Sequence, residues 1–235
     1  SKGKYYSADE FEPTATGEIP VFSMTAKDEI KFKTPDALMS GQATVDIIES
    51  CIPNVKDAWK VVNYDIDALL MAIRIATYGE TMDINYTVPV INESAVTSFN
   101  IPAYLDQISK IELQDSFVTS VGLKIFMAPM RYNKLVKIQQ AQFEQEKIYR
   151  TVNASTLSQE EKSTQFNKSF TKMNDINFEL LVDSIVKIET SKGDEVTDAT
   201  EIQNFINNAE SPLVNEIQDK IGEVRKQAQM QPIKI

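Results

Sequence analysis

NYDIDALLMAIRIATYG, Asn63 to Gly79, is the stretch around which the rest of the chain is arranged. Asn63 suits a helix N-cap, and Asp65 and Asp67 put negative charge in the first turn, where the helix dipole favours it. Ile66, Leu69, Leu70 and Ile73 recur at helical spacing, while Met71 and Ile75 fill the opposite face. A helix that is apolar nearly all round is expected to be buried. Gly79 is expected to stop it, since glycine tolerates the backbone turn that ends a helix.

Outward from this helix, both flanks predict mixed structure. On the N-terminal side, residues 1–19 are polar, carry Pro13 and Gly17, and show no periodicity. They read as an extended arm, either a frayed terminus or a segment that orders on a neighbouring subunit through its aromatics, Tyr5, Tyr6 and Phe11. Glu29 to Lys33 alternates Ile30 and Phe32 with Lys31 and Lys33, which predicts a half-buried strand. Thr34 and Pro35 then open a short helix that Gly41 ends, and Ala43 to Ile52 forms a second helix closed by Pro53. On the C-terminal side, Met82, Ile84, Tyr86 and Val88 alternate with polar residues. A turn at Asn92 to Ser94 and a partner strand from Val96 to Ile101 complete a hairpin. Pro102 opens a short helix. Extended pieces are expected at Ile111–Leu113, at Phe117–Thr119, and through Val121, Leu123, Ile125 and Met127.

Beyond Pro129 the composition changes. Arg131 to Val152 predicts a long, polar helix with sparse apolar positions, suited to bridge domains or to face a partner. Ser158 and Glu161 form a capping box for the next helix. Asp175 is read as the cap of a further one carrying Phe178, Leu181, Ile185 and Ile188. Asp198 and Ser211-Pro212 open the last two helices, the final one carrying Ile217, Ile221, Val224 and Ala228. The fold class is therefore α+β: an N-terminal α+β half with a small, mostly antiparallel sheet around the buried helix 63–79, then an α-helical half. The expected domains are the arm 1–19, an α+β domain 20–129 and a helical domain 130–235, joined near 128–131.

Composition narrows the chemistry. The 235 residues carry a net charge of −10, which disfavours nucleic acid and anionic membrane as partners. With no histidine, the chain lacks the commonest general base and every His-ligated metal site. The single cysteine, Cys51, offers no internal disulfide and no thiolate zinc cage, and reads as a structural thiol. No apolar run approaches the ~20 residues of a membrane-spanning helix. The opening SKGKYYSADEFE has no apolar core of signal-peptide type. No glycine-rich phosphate loop and no nucleophile motif occur. Asp65 and Asp67 do not share a helix face, so a helix-start role accounts for them better than paired-carboxylate catalysis. The residues predict no catalytic, cofactor or metal site.

Three segments carry a family resemblance: IPVFSMTAKDEIKFKTPDALMSG (19–41) with IIESCIPNV (47–55), YDIDALLMAIRIATYGETMDI (64–84), and SFTKMNDINFELLVDSIVKIET (169–190) followed by GDEVTDATEIQNFI. Together they resemble the baseplate hub subunit family of T-even-like contractile-tailed bacteriophages, over most of residues 19–235. Some relatives carry a C-x-x-C pair after the hairpin strand. The corresponding region here reads TVPV (87–90), without a cysteine pair for a zinc knuckle. The resemblance implies a non-enzymatic structural or assembly component of a phage tail baseplate hub, located in the virion and in the host cytoplasm during assembly. Its implied partners are other tail and hub proteins, with the central spike and the tape-measure protein among them. The alternative it implies is an assembly chaperone or scaffold absent from the mature virion. Composition marks the candidate contact residues: Tyr5, Tyr6 and Phe11 on the arm, Gln139, Phe143 and Tyr149 on the polar helix, and Ile217, Ile221 and Val224 on the last helix.

Overall fold

The structure is a computed structural model that describes residues 5–88, 93–110, 112, 114–154 and 157–228. The described chain divides into two compact units, one up to Glu112 and one from Gln114 to Gln227.

The first unit begins with helices α1 (Ala26–Phe32), α2 (Pro35–Met39) and α3 (Gln42–Cys51). Helix α1 replaces the strand expected at Glu29–Lys33. The Thr25 side chain accepts from the backbone of Asp28, whose carboxylate accepts in return from the Thr25 backbone N–H, a complete capping box. That local signal outweighs an alternation only five residues long, and it leaves Ile30 exposed. A 3-10 turn at Ala58–Lys60 leads into α4 (Asn63–Tyr78), the central helix. Val62, not Asn63, occupies the cap position, so the helix begins one residue earlier than expected. Gly79 ends it at φ 91°, in backbone space open to glycine. Only Ile66 and Ile73 of α4 are buried. Leu69, Leu70, Met71 and Ile75 are half-exposed, a correction to the expectation of burial all round.

Strands β1 (Thr81–Val88) and β2 (Glu93–Asn100) form an antiparallel hairpin in which Met82 faces Phe99, Ile84 faces Thr97 and Tyr86 faces Ala95. The tip, including Asn92, lies outside the described residues. Helix α5 (Ile101–Ser109) follows, capped by Asn100, whose side chain accepts from Ala103 N at 2.8 Å. The core of this unit includes Val45, Ile47, Ile48, Cys51, Ile52, Val62, Ile73 and Ile101, all nearly inaccessible. Burial pushes the Cys51 thiol up, in keeping with a structural thiol.

Strand positions Ile111 and Leu113 lie outside the described residues. The second unit opens with β3 (Ser116–Val118) and β4 (Lys124–Met127), joined through a turn in which Val121 is exposed. Two long helices follow, α6 (Tyr132–Ala154) and α7 (Gln159–Asp183), packed on each other. Helix α7 runs unbroken, and Asp175 sits within it rather than capping a new helix. Ile185 and Ile188, expected on a helix, stand on strand β5 (Ile185–Glu189), which pairs with β4. The chain closes with β6 (Glu195–Val196), α8 (Ala199–Asn208), capped by Asp198, and α9 (Ser211–Ala228). The four strands form one antiparallel sheet in the order β3-β4-β5-β6. Its inner residues Phe117, Ile125, Ile185 and Ile188 pack with Leu181, Ile202, Ile206, Ile217 and Ile221 as the second core. The architecture is α+β. The expected junction near 128–131 falls inside the second unit, where β4 passes into α6.

Candidate partner-binding surfaces

The arm aromatics lie on their own unit. Phe11 bridges to Val55, with Glu12 N donating to Asn54 O at 2.8 Å and Lys56 N to Glu10 O at 3.0 Å. Lys56 and Glu12 add an ion pair at 2.7 Å. The Tyr6 hydroxyl donates to Asp65 at 2.6 Å and accepts from Val62 N at 3.0 Å, so it ties the arm to the first turn of α4. The Tyr6 and Phe11 rings sit 5.9 Å apart. Tyr5 is half-buried. These three side chains are thus engaged within the chain, because the start of α4 supplies a carboxylate and an uncapped N–H for tyrosine to bridge.

The last helix turns inward. Ile217 and Ile221 are buried and Val224 packs partly buried against the second core. The apolar stripe of α9 is a core stripe, which corrects the reading of Ile217 and Ile221 as contact residues. Arg225 of α9 reaches the end of α7. It donates to Ser184 Oγ at 2.6 Å and to Leu180 O at 3.3 Å.

Helices α6 and α7 present a different surface. Their shared core is short: Ala141, Ile176 and Leu180, with Ile138 and Met173 partly buried. Lys134 holds Glu179 at 2.8 Å and Asp183 at 2.6 Å, Lys137 joins Glu179, and Lys172 holds Glu144 at 2.5 Å. Along the same pair Phe143, Tyr149 and Phe170 are each more than half exposed. Tyr149 leans on Phe166 at 5.7 Å, and Gln139 faces solvent. Helices of 23 and 25 residues are each roughly 35 Å long at about 1.5 Å per residue, so the hairpin displays these aromatics along its length.

A fourth surface was not visible in the sequence. Beside α4 lies an apolar groove of about 490 Å³, walled by Met24, Phe32, Leu70, Met71, Met82 and Phe99. Glu29, Lys33, Asp67 and Arg74 also line it. Tyr78 donates to Glu29 at 2.6 Å, a bond that holds the phenol's proton and raises its pKa. Arg74 donates to the carbonyls of Gly79 and Thr81 and lies 4.7 Å from the Tyr78 ring centre. The apolar surroundings of Asp67 raise its pKa by desolvation, although the residue reaches solvent. The only sequence signal for the groove was the excess of apolar residues on α4, which reads equally well as core.

Among the described residues no helix is long and apolar enough to cross a membrane, and no three His, Cys, Asp or Glu side chains are placed to hold a metal ion. A family model described as T4 bacteriophage base plate protein matches residues 10–232. No curated protein and no solved structure matches the chain.

Proposed function

The chain belongs to the family of T4 bacteriophage base plate proteins, and from that premise we propose that it is a non-enzymatic structural component of the baseplate hub, acting by binding neighbouring tail proteins. Membership makes it a component of a multi-protein phage tail baseplate. The hub position, the specific neighbours and a passage through the host cytoplasm during assembly belong to the proposal. The family match over residues 10–232 carries the reading. Its physical support is the α6–α7 hairpin, where Phe143, Tyr149 and Phe170 stand exposed on otherwise polar helices. Aromatic side chains on such a surface supply large contact area at small entropic cost and anchor interfaces.

Quantitative mass spectrometry of gradient-purified virions tests the proposal. A small, fixed copy number per particle is expected. Presence in infected-cell extracts with absence from particles would overturn it in favour of an assembly chaperone.

A further inference from the structure

We propose that the groove beside α4 receives an apolar segment of a neighbouring tail protein that carries a lysine or arginine against Asp67. This inference rests on the reading of the chain as a component of the assembled tail.

The occupant's chemistry follows from what lines the groove. Three of its four charged residues are engaged inside the chain. Glu29 accepts from Tyr78 and lies 3.9 Å from Lys33, and Arg74 is held by two carbonyls and an aromatic face. Asp67 has no hydrogen-bond or ion-pair partner among the described residues. It stands at the edge of a wall built from Leu70, Met71, Met82 and Phe99. While the groove is open that carboxylate is accessible to water. A partner that covered the groove would remove the water, and an uncompensated carboxylate would then oppose binding strongly. A cationic side chain on the incoming segment removes that penalty and fixes its register.

The charge of the unit points the same way. Residues 1–112 hold 17 Asp and Glu against 9 Lys and Arg, whereas residues 113–227 hold 17 against 14. The groove therefore lies on the more acidic unit, whose field favours approach of a basic segment. Shape adds a further argument. Met24, Met71 and Met82 are unbranched and adaptable, as suits a wall that moulds to another protein. The wall also continues outward. By strand register Ile84 and Tyr86 share the hairpin face of Met82 and Phe99, and all four are half-exposed, which makes a track long enough for a peptide segment. The raised pKa of Asp67 agrees with a carboxylate in need of a partner.

The test uses the full chain in assembling phage, with a Met71→p-benzoylphenylalanine substitution, ultraviolet irradiation of purified particles, and sequencing of the cross-linked peptides. The expected product joins position 71 to an apolar segment of a different tail protein with a lysine or arginine about one helical turn away. Adding Asp67→Lys is expected to lower the yield about tenfold or more, while Asp67→Glu preserves it. Asp67 reaches solvent, so both variants should keep the parent's melting curve, and circular dichroism checks this. Cross-links to residues 229–235 of the same chain, to a second copy or to an acidic segment would each overturn the proposal, as would an unchanged yield with Asp67→Lys. If the chain is in particles but position 71 cross-links to nothing, the groove assignment fails and the structural role stands. If the chain is absent from particles, both fall.

Discussion

Asp28 is the only charged residue buried among the described residues, and one oxygen of its carboxylate, Oδ2, takes three hydrogen bonds. It accepts from Thr25 N at 2.9 Å, from Thr25 Oγ1 at 2.6 Å and from Ser50 Oγ at 3.3 Å. The Thr25 hydroxyl and then the Thr25 N–H hold its pKa below the usual 3.8. The sign follows from linkage: a depressed folded pKa contributes stability that is present above 3.8 and is lost as the pH falls through the lower folded value. Asp28→Ala is therefore expected to cost about 1–3 kcal/mol at neutral pH, and its cost should shrink under acid. Urea midpoints at neutral pH and near pH 3 check this, and equal losses at both would show that the carboxylate's charge contributes nothing. Neighbouring positions on α4 make a second contrast. Ile73 is buried at 1% exposure, so Ile73→Ala should cost about 2–5 kcal/mol. Leu70 walls the groove and is half-exposed, so Leu70→Ala should cost only about 1 kcal/mol. Equal midpoint shifts would show that the groove wall is core.

At the scale of elements, the α6–α7 pair is held by a small apolar patch and a charge network rather than by a wide stripe. Lys134 and Lys137 keep the Glu179 pKa below its usual 4.5, and Asp183 and then Glu179 keep the Lys134 pKa above its usual 10.5. The first contribution is lost as the pH falls below 4.5, and the second as it rises past 10.5. These side chains are substantially exposed, so each pair is worth no more than about 1 kcal/mol. Replacing both Lys134 and Lys137 with Ala should lower the melting temperature slightly at neutral pH and flatten its decline below pH 4.5. A decline as steep as the parent's would remove the network from the account. Element ends were legible in the sequence at Ser158 with Glu161 and at Asp198, where a side chain closes a bond to the backbone, whereas the equivalent Thr25–Asp28 box and the Asn100 cap were hidden by strand-like alternation beside them. Strand β5 was not legible, for a geometric reason. Ile185 and Ile188 are three residues apart, which in a regular strand would point them to opposite faces. The register slips between Phe126 and Met127, so that Met127 faces Ile185 while Phe126 faces Lys187, and exposed Val186 is the extra residue. This bulge turns both isoleucines inward and reproduces a helical spacing on a strand. The groove escaped for a related reason: periodicity reports which faces are apolar, and not which of them the fold leaves uncovered.

For the whole molecule, the question with most consequence is where one folding unit ends and the next begins. Composition places the change near 128–131, where helices become polar. Pairing argues for a boundary near 112, because β4 joins β5 across two intervening helices of 23 and 25 residues. A fragment starting at residue 130 would lose β3 and β4, and with them Phe117, Ile125 and Met127 from the core that α8 and α9 complete. Each of those side chains is worth roughly 1.5–3 kcal/mol of burial, and together they approach the ~5–15 kcal/mol that holds a typical domain folded. The same cut would leave β5 with an open edge, prone to pair with other chains. Residues 113–228 expressed alone are therefore expected to melt cooperatively and to disperse their amide resonances. Residues 130–228 are expected to keep helical circular dichroism, lose the cooperative melt and aggregate. If the shorter fragment melts as sharply as the longer, β3 and β4 are accessories to the second unit, and the compositional boundary is the folding boundary.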